Sequence, residues 1–270
     1  MPQRELSRGA GAIITLTTDF GLGSPYVGQM KGVLLHRAPE AALVDLTHAI
    51  PAFDVRAAAL TLGDAVSAFA DGTVHLVVVD PGVGTARRPL VIAWRGHAMV
   101  GPDNGVFESF LDEGAVHVIA RRDIFRQPVS DVFHGRDLFA PAAAFLARGG
   151  LPAELGPPVD DPVRLRWPQV VRQPHGARAP VLRADGFGNL MTRLSRADVP
   201  AEVRAVGLTG QPGGERLEIP LRRTYGEVAP GALVALFGSS GWLEVAVSQG
   251  SAAERLGAGA AELWVEVSWG

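Results

Sequence analysis

The chain has 270 residues, 47% of them hydrophobic, and a net charge of −3. It therefore lacks the basic footprint of a nucleic-acid binder, and no apolar run reaches the roughly 18–20 residues of a membrane span. With no cysteine it has no thiolate catalysis, no disulfide and no cysteine-ligated metal.

Residues 1–11 are polar, lack the apolar core of a signal peptide and read as a disordered tail, so a cytoplasmic enzyme is expected. Residues 12–150 read as an α/β domain. A Thr-rich strand over 12–18 ends on Asp19. Ser24 and Pro25 suit the N-cap and first position of a helix to about His36, stopped by Pro39. A strand over 42–46 precedes a helix capped by Asp54, with Val55, Ala59, Leu62, Val66 and Phe69 at helical spacing and Gly72 closing it. The β-branched run over 75–79 predicts a strand buried on both faces, ending at Asp80. Pro81, Gly82 and Gly84 then turn the backbone sharply.

Ligands in open α/β sheets bind just beyond the carboxyl ends of strands. Asp80 stands at such an end, with Arg87 seven residues on and able to fold back over it. An ordinary capped βα turn would use the same residues. Strands over 90–94, 98–100 and 116–120 follow, the second running into Gly101-Pro102-Asp103-Asn104-Gly105. Asp137 reads as the cap of a helix over 138–148. His134 and Gly135 thus fall at a helix N-terminus, where the dipole favours developing negative charge; a loop histidine without a role is the alternative. The alternation predicts a largely parallel central sheet with helices on its faces.

Seven prolines fall within 151–180, which reads as a Pro-rich linker or wrap-around segment between two domains. Residues 181–270 are almost wholly β, with strands over 181–184, 217–221, 233–237, 242–247 and 263–267. Short strands and Gly-rich turns predict a smaller all-β barrel or sandwich. Two turns carry polar groups, Asp185-Gly186-Phe187-Gly188-Asn189 and Gly238-Ser239-Ser240-Gly241. Each alone suits a plain hairpin; with three acid-tipped strand ends they suggest a ligand held between domains.

In this order the clusters resemble the S-adenosylmethionine hydroxide adenosyltransferase family, which includes the fluorinase and chlorinase. The resemblance runs from about Ile13 to the C-terminus. It rests on Thr17-Thr18-Asp19-Phe20-Gly21, Asp80-Pro81-Gly82-Val83-Gly84-Thr85, Gly101-Pro102-Asp103-Asn104-Gly105, Phe133-His134-Gly135-Arg136-Asp137, Phe187-Gly188-Asn189 and Gly238-Ser239-Ser240-Gly241. It implies a small-molecule substrate, S-adenosylmethionine, attacked at C5′ so that methionine leaves. It also implies a homotrimer, each active site lying between the first domain of one subunit and the second domain of its neighbour.

The hydrolysing members' Asp, Arg and His set falls here on Asp80, Arg87 and His134. Halogenating members carry tyrosine at the position of Asp80 and threonine at that of Val83, so the resemblance implies a hydrolase forming adenosine and L-methionine without metal or cofactor. A carboxylate would repel a halide about 4 Å away by roughly 4 kcal/mol at intermediate dielectric, whereas it can orient or deprotonate water. The resemblance further implies that Asp19 accepts from both ribose hydroxyls, Asp185 pairs with the methionine ammonium, and Asn189 reads the adenine edge. Ser239 and Ser240 fall where the methionine carboxylate binds, although some members have arginine at the second position. Phe53 and Tyr225 fall near aromatic positions of the nucleoside pocket, with core packing as the other reading.

Three alternatives compete. A halogenase conflicts with Asp80 and Val83. A metal-dependent hydrolase using Asp80, Asp103, His134 and Asp137 lacks an HExxH motif or close histidine pair. In a non-catalytic S-adenosylmethionine or adenosine binder, Asp80, Arg87 and His134 together would be superfluous.

Overall fold

The structure is a computed structural model describing residues 11–210, 214–257 and 262–269. The expected N-terminal tail, apart from Gly11, lies outside the described residues. The chain divides into two compact units, one ending at Leu165 and one beginning at Arg166.

In the first unit the strands are β1 (Ile13–Thr18), β2 (Ala42–Thr47), β3 (Val74–Val78), β4 (Pro89–Trp94), β5 (His97–Pro102) and β6 (Ala115–Val118). They form one sheet in the order β2-β1-β3-β5-β4-β6. β2, β1, β3 and β5 pair in parallel and only β4 opposes its neighbours, so the expected largely parallel sheet is present. β4 turns into β5 through Arg95 and Gly96, both at positive φ, the geometry of a two-residue hairpin.

Helices α1 (Tyr26–Arg37), α2 (Val55–Ala65) and α3 (Ala140–Ala147) cover the sheet. Alternation along each strand sorts the side chains. Ile14, Leu16, Leu76 and Val78 share a cluster with Met30 and Leu34 of α1 and with Ala143 and Leu146 of α3. Val77 and Val79 face the other way, into a cluster with Ala58 and Leu62 of α2. β3 is buried along its whole length because both its faces are covered. Each fully buried aliphatic side chain contributes about 2 kcal/mol.

Asp54 caps α2 as expected, accepting from the Ala57 amide at 2.9 Å. Three local expectations are corrected. Ser24 does not cap α1: its hydroxyl donates to the Phe20 carbonyl, and Pro25 occupies the cap position. α2 ends at Ala65 in a tighter turn over Val66–Ala68, so Gly72 lies beyond the helix. Asp137 lies inside the third helix. A widened π turn, Gly135–Phe139, begins it one turn early and runs into α3, with His134 at the cap position. Gly135 makes this possible by packing against β3: a Cβ there would sit 3.0 Å from Val78 Cγ1 and 3.3 Å from Met30 Sδ.

The proline-rich stretch takes the wrap-around form. Its first part lies along the first unit, with Pro158 bridging His117 and the Val163 amide donating to Asp103. Its last part forms β7 (Val171–Gln173) and β8 (Gly176–Pro180) of the second unit. Proline's fixed φ suits such extended paths and strand ends.

The second unit adds β9 (Arg183–Ala184), β10 (Leu190–Ser195), β11 (Ala205–Thr209), β12 (Leu217–Pro220), β13 (Leu233–Phe237), β14 (Trp242–Val247) and β15 (Trp264–Ser268). Two antiparallel sheets result, β13-β14-β10-β9 and β12-β11-β15-β8-β7. Leu190, Leu243 and Val245 of one meet Val206, Ile219 and Val265 of the other in a shared core. This is the expected all-β architecture in its two-sheet form.

The α2-side face of the first sheet holds a polar chain. Thr15 Oγ1 bonds His75 Nδ1 at 2.8 Å, and His75 Nε2 lies 3.3 Å from His97 Nδ1. Burial, reinforced by His97, pushes the His75 imidazole down to about 3. The unfolded chain therefore takes up a proton near pH 6.5 that the folded chain refuses until about pH 3. The stabilisation is complete above pH 6.5 and is lost as pH falls, by about 3 kcal/mol at pH 4.5 for His75 alone. Denaturant unfolding should show stability already declining between pH 6.5 and 5, above the carboxylate range. A flat profile there would contradict the assignment.

Candidate active site

The parallel register brings Thr18 of β1 opposite Val78 of β3. Asp19 and Asp80 thus leave adjacent strands at the same edge of the sheet. After Asp80 the backbone turns through Gly84, at φ +78°, where a Cβ would stand 2.7 Å from the Asp131 carbonyl oxygen. Glycine therefore lets the loop after β3 lie against the segment leading to His134. Asn104 supports the same loop, donating from Nδ2 to the Val79 carbonyl at 2.9 Å.

Arg87 does fold back over Asp80. Its Nε donates to Asp80 Oδ1 at 2.9 Å and its Nη2 to Oδ2, a two-point fork. The side chains are 9% and 5% exposed, so the pair is shielded from the screening that weakens surface ion pairs. The guanidinium lies over the Phe139 ring, 5.0 Å from its centre. Nη2 also lies 3.1 Å from His134 Nδ1. Arginine can only donate, so Nδ1 accepts and the imidazole proton resides on Nε2. Burial first, then the Arg87 charge, lowers the His134 pKa and keeps the ring neutral. Arg87 Nη1 is buried with no hydrogen-bond partner among the described residues. Asp80, Arg87 and His134 thus form one connected group with one guanidinium nitrogen, Nη1, unspent.

Beside it, Asp19 Oδ2 accepts from the Phe53 amide at 2.9 Å. Phe53 has a positive φ of 67°. The residue is 70% exposed, which removes the core-packing reading. A bulky residue in this backbone region is strained, and such strain is characteristic of functional sites. The other acids named for a metal reading have separate partners. Asp103 accepts from Arg88 and from the Val163 amide. Asp137, fully buried, accepts from Arg136, Arg126 and the Ser130 amide.

The second unit holds the remaining candidates. Asp185 Oδ1 accepts from the Phe187 and Asn189 amides at 2.8 and 2.9 Å, and Oδ2 accepts from Asn189 Nδ2 at 3.0 Å. Asn189 keeps its carbonyl and its second N–H. Tyr225 is 42% exposed and so is not a core residue. Its hydroxyl donates to Glu244 Oε1. Ser239 is exposed and Ser240 half-buried in the turn joining β13 to β14. Sequence reasoning missed Glu244, which the pattern Leu243-Glu244-Val245 assigns to the outward face, and Phe139, hidden in an apolar helix. No local signal marks either one.

Residues 14–156 match the SAM hydroxide adenosyltransferase N-terminal domain, and residues 179–265 match the C-terminal domain of the same name. A Thermus thermophilus protein named (R)-S-adenosyl-L-methionine hydrolase is 46% identical over 250 residues, spanning 89% of this chain and 93% of that protein. A Salinispora tropica protein of the same name is 40% identical, spanning 90% of this chain and 93% of its own. A Nocardia brasiliensis fluorinase is more distant, 25% identical over 92% of this chain and 94% of its own. The crystal structure of an uncharacterized conserved protein from Thermotoga maritima superposes with a TM-score of 0.88 at 32% identity, spanning 95% of this chain and all of that one.

Proposed function

This chain belongs to the SAM hydroxide adenosyltransferase family, and from that membership we propose that it hydrolyses S-adenosyl-L-methionine at C5′, releasing adenosine and L-methionine. The relatives' names support the (R) sulfonium epimer as the substrate. The observation that carries the reading is the Asp80–Arg87 fork with His134 on the same guanidinium.

Sulfur leaves C5′ as a neutral thioether, so no acid need protonate the leaving group. What remains is to position and activate water. The unspent Arg87 Nη1 and the Nε2 proton of His134 are donors suited to the water oxygen, where negative charge develops. His134 cannot take a proton at Nδ1 without giving up its contact with Arg87. Asp80 is therefore the acceptor: one water proton goes to its carboxylate and then to solvent as the C5′–O bond forms and the C5′–S bond breaks. A carboxylate in this position disfavours a halide nucleophile, which sets the reading apart from a halogenase.

Asp19 holds the ribose hydroxyls, Phe53 and Tyr225 flank the nucleoside, Asn189 reads the adenine edge, Asp185 takes the ammonium, and Ser239 and Ser240 take the carboxylate. Purified protein should convert S-adenosyl-L-methionine to equimolar adenosine and methionine at a rate unchanged by a chelator, since the residues act without metal or cofactor. Substrate left intact, or turnover abolished by chelation, would overturn the reading. Among the described residues no helix is long and apolar enough to cross a membrane, and the enzyme acts in the cytoplasm.

The proposed residues are divided between the two units, and the family resemblance supports a homotrimer whose sites are shared between neighbouring subunits. Asp80→Asn and Asp185→Ala variants, dissociated and reassembled together, should then regain activity absent from either parent. Random 1:1 assembly leaves about a quarter of interfaces intact at both residues. A mixture no better than its parents despite proven exchange would place each site within one chain.

A further inference from the structure

Glu244 lies in β14, with Leu243 and Val245 to Val247 buried around it, and is only 5% exposed itself. A carboxyl is rarely buried without a defined task. Here its two oxygens serve different neighbours. Oε1 accepts the Tyr225 hydroxyl proton. Oε2 fits against Gly238, where a Cβ would overlap it. Gly238 opens the turn that carries Ser239 and Ser240, closed by the Gly238 amide on the Trp242 carbonyl at 2.9 Å and the Gly241 amide on the Gly238 carbonyl at 3.0 Å.

We propose that Glu244 is a positioning residue for substrate binding, fixing the Tyr225 ring and the Ser239-Ser240 turn in one geometry. The proposal rests on the function given above, which assigns Tyr225 to the nucleoside and the two serines to the amino-acid carboxylate. A single buried group thereby aligns both ends of the ligand subsite on this unit. Burial, with a further contribution from the Asp185 charge, raises the Glu244 carboxyl above the usual carboxylate range, against the opposing effect of the Tyr225 bond. Burial first, then the bond to Glu244 and the charges of Glu244 and Asp185, raises the Tyr225 phenol, which stays protonated and able to donate. The turn itself holds two hydroxyls and no cation.

The test uses full-length Glu244→Ala, Glu244→Gln and Tyr225→Phe, each checked for folding by circular dichroism. Glu244→Ala should raise KM for S-adenosyl-L-methionine about 10–100-fold and leave kcat within about threefold, because the reacting group lies on the other unit. Glu244→Gln, neutral and still able to accept from Tyr225, should stay within about threefold of wild type in both constants. Tyr225→Phe should raise KM, and adding it to Glu244→Ala should raise KM little further, since both remove the same bond. Calorimetric binding of adenosine should weaken with Ala and not with Gln.

An unchanged KM in Glu244→Ala would overturn the proposal. Equal impairment by Gln and Ala would also overturn it, by showing that charge and not the hydrogen bond is needed. If Glu244→Ala does not fold, a raised KM in Tyr225→Phe with a normal Glu244→Gln supports the proposal, and a normal Tyr225→Phe overturns it. Failure of wild-type protein to release adenosine and methionine would instead strike the hydrolase reading. Adenosine binding by the variants would still decide the role of Glu244.

Discussion

Asp80→Asn is expected to lose about 10²–10⁴-fold in turnover, the range typical of a group that accepts a proton in the reaction. The substitution is nearly isosteric but removes the charge and turns one oxygen into an N–H. That N–H would face Arg87, itself only a donor, so one arm of the fork between Arg87 Nε and Nη2 is lost. The freed guanidinium no longer holds His134 in its present contact. Adenosine affinity should change little, because Asp19, Phe53 and Asn189 are assigned to the nucleoside. Steady-state turnover and calorimetric binding of adenosine read the two quantities separately. Near-normal turnover would remove Asp80 from the chemistry; lost adenosine binding would make it a ligand residue.

Arg87→Ala should cost about 3–5 kcal/mol of stability, because it leaves the buried Asp80 carboxylate without its partner. Turnover should fall together with stability. The informative comparison is Arg87→Lys. Lysine restores a positive charge but not the planar fork, cannot bond both carboxylate oxygens and His134 at once, and stacks less well on Phe139. Arg87→Lys should regain part of the stability and little of the turnover. Denaturant unfolding and kcat on the same preparations measure both. A lysine variant with wild-type turnover would show that charge alone suffices and that the fork is incidental.

These residues differ in how far the sequence exposes them. The run His75-Leu76-Val77-Val78-Val79 marks a buried strand by itself, and Asp80 with Arg87 lies within one loop, so their pairing needs only a turn. His134 could be placed at a helix N-terminus. The function of Asp137 could not be read, because capping is inferred from local spacing. The π turn that carries Asp137 inward depends instead on Gly135 meeting Val78 and Met30, distant in sequence. β10 escaped notice because its inward set, Leu190, Thr192 and Leu194, includes a polar residue. The Thr192 hydroxyl donates across the sheet to the Leu243 carbonyl at 2.7 Å and accepts from the Leu194 amide at 3.1 Å. Glu244 is the clearest case: strand alternation sends it outward, and only the fold of the following contacts shows it buried under a turn. Local pattern reaches as far as strand ends and loop partners. Tertiary contacts decide the rest.

The central claim, that water attacks C5′ of S-adenosyl-L-methionine at the Asp80–Arg87–His134 group, is tested most directly by turnover in water enriched with heavy oxygen. One labelled oxygen is expected in the 5′-hydroxyl of adenosine, none in methionine, with loss of the labelled product in Asp80→Asn. Adenosine formed without label would contradict it.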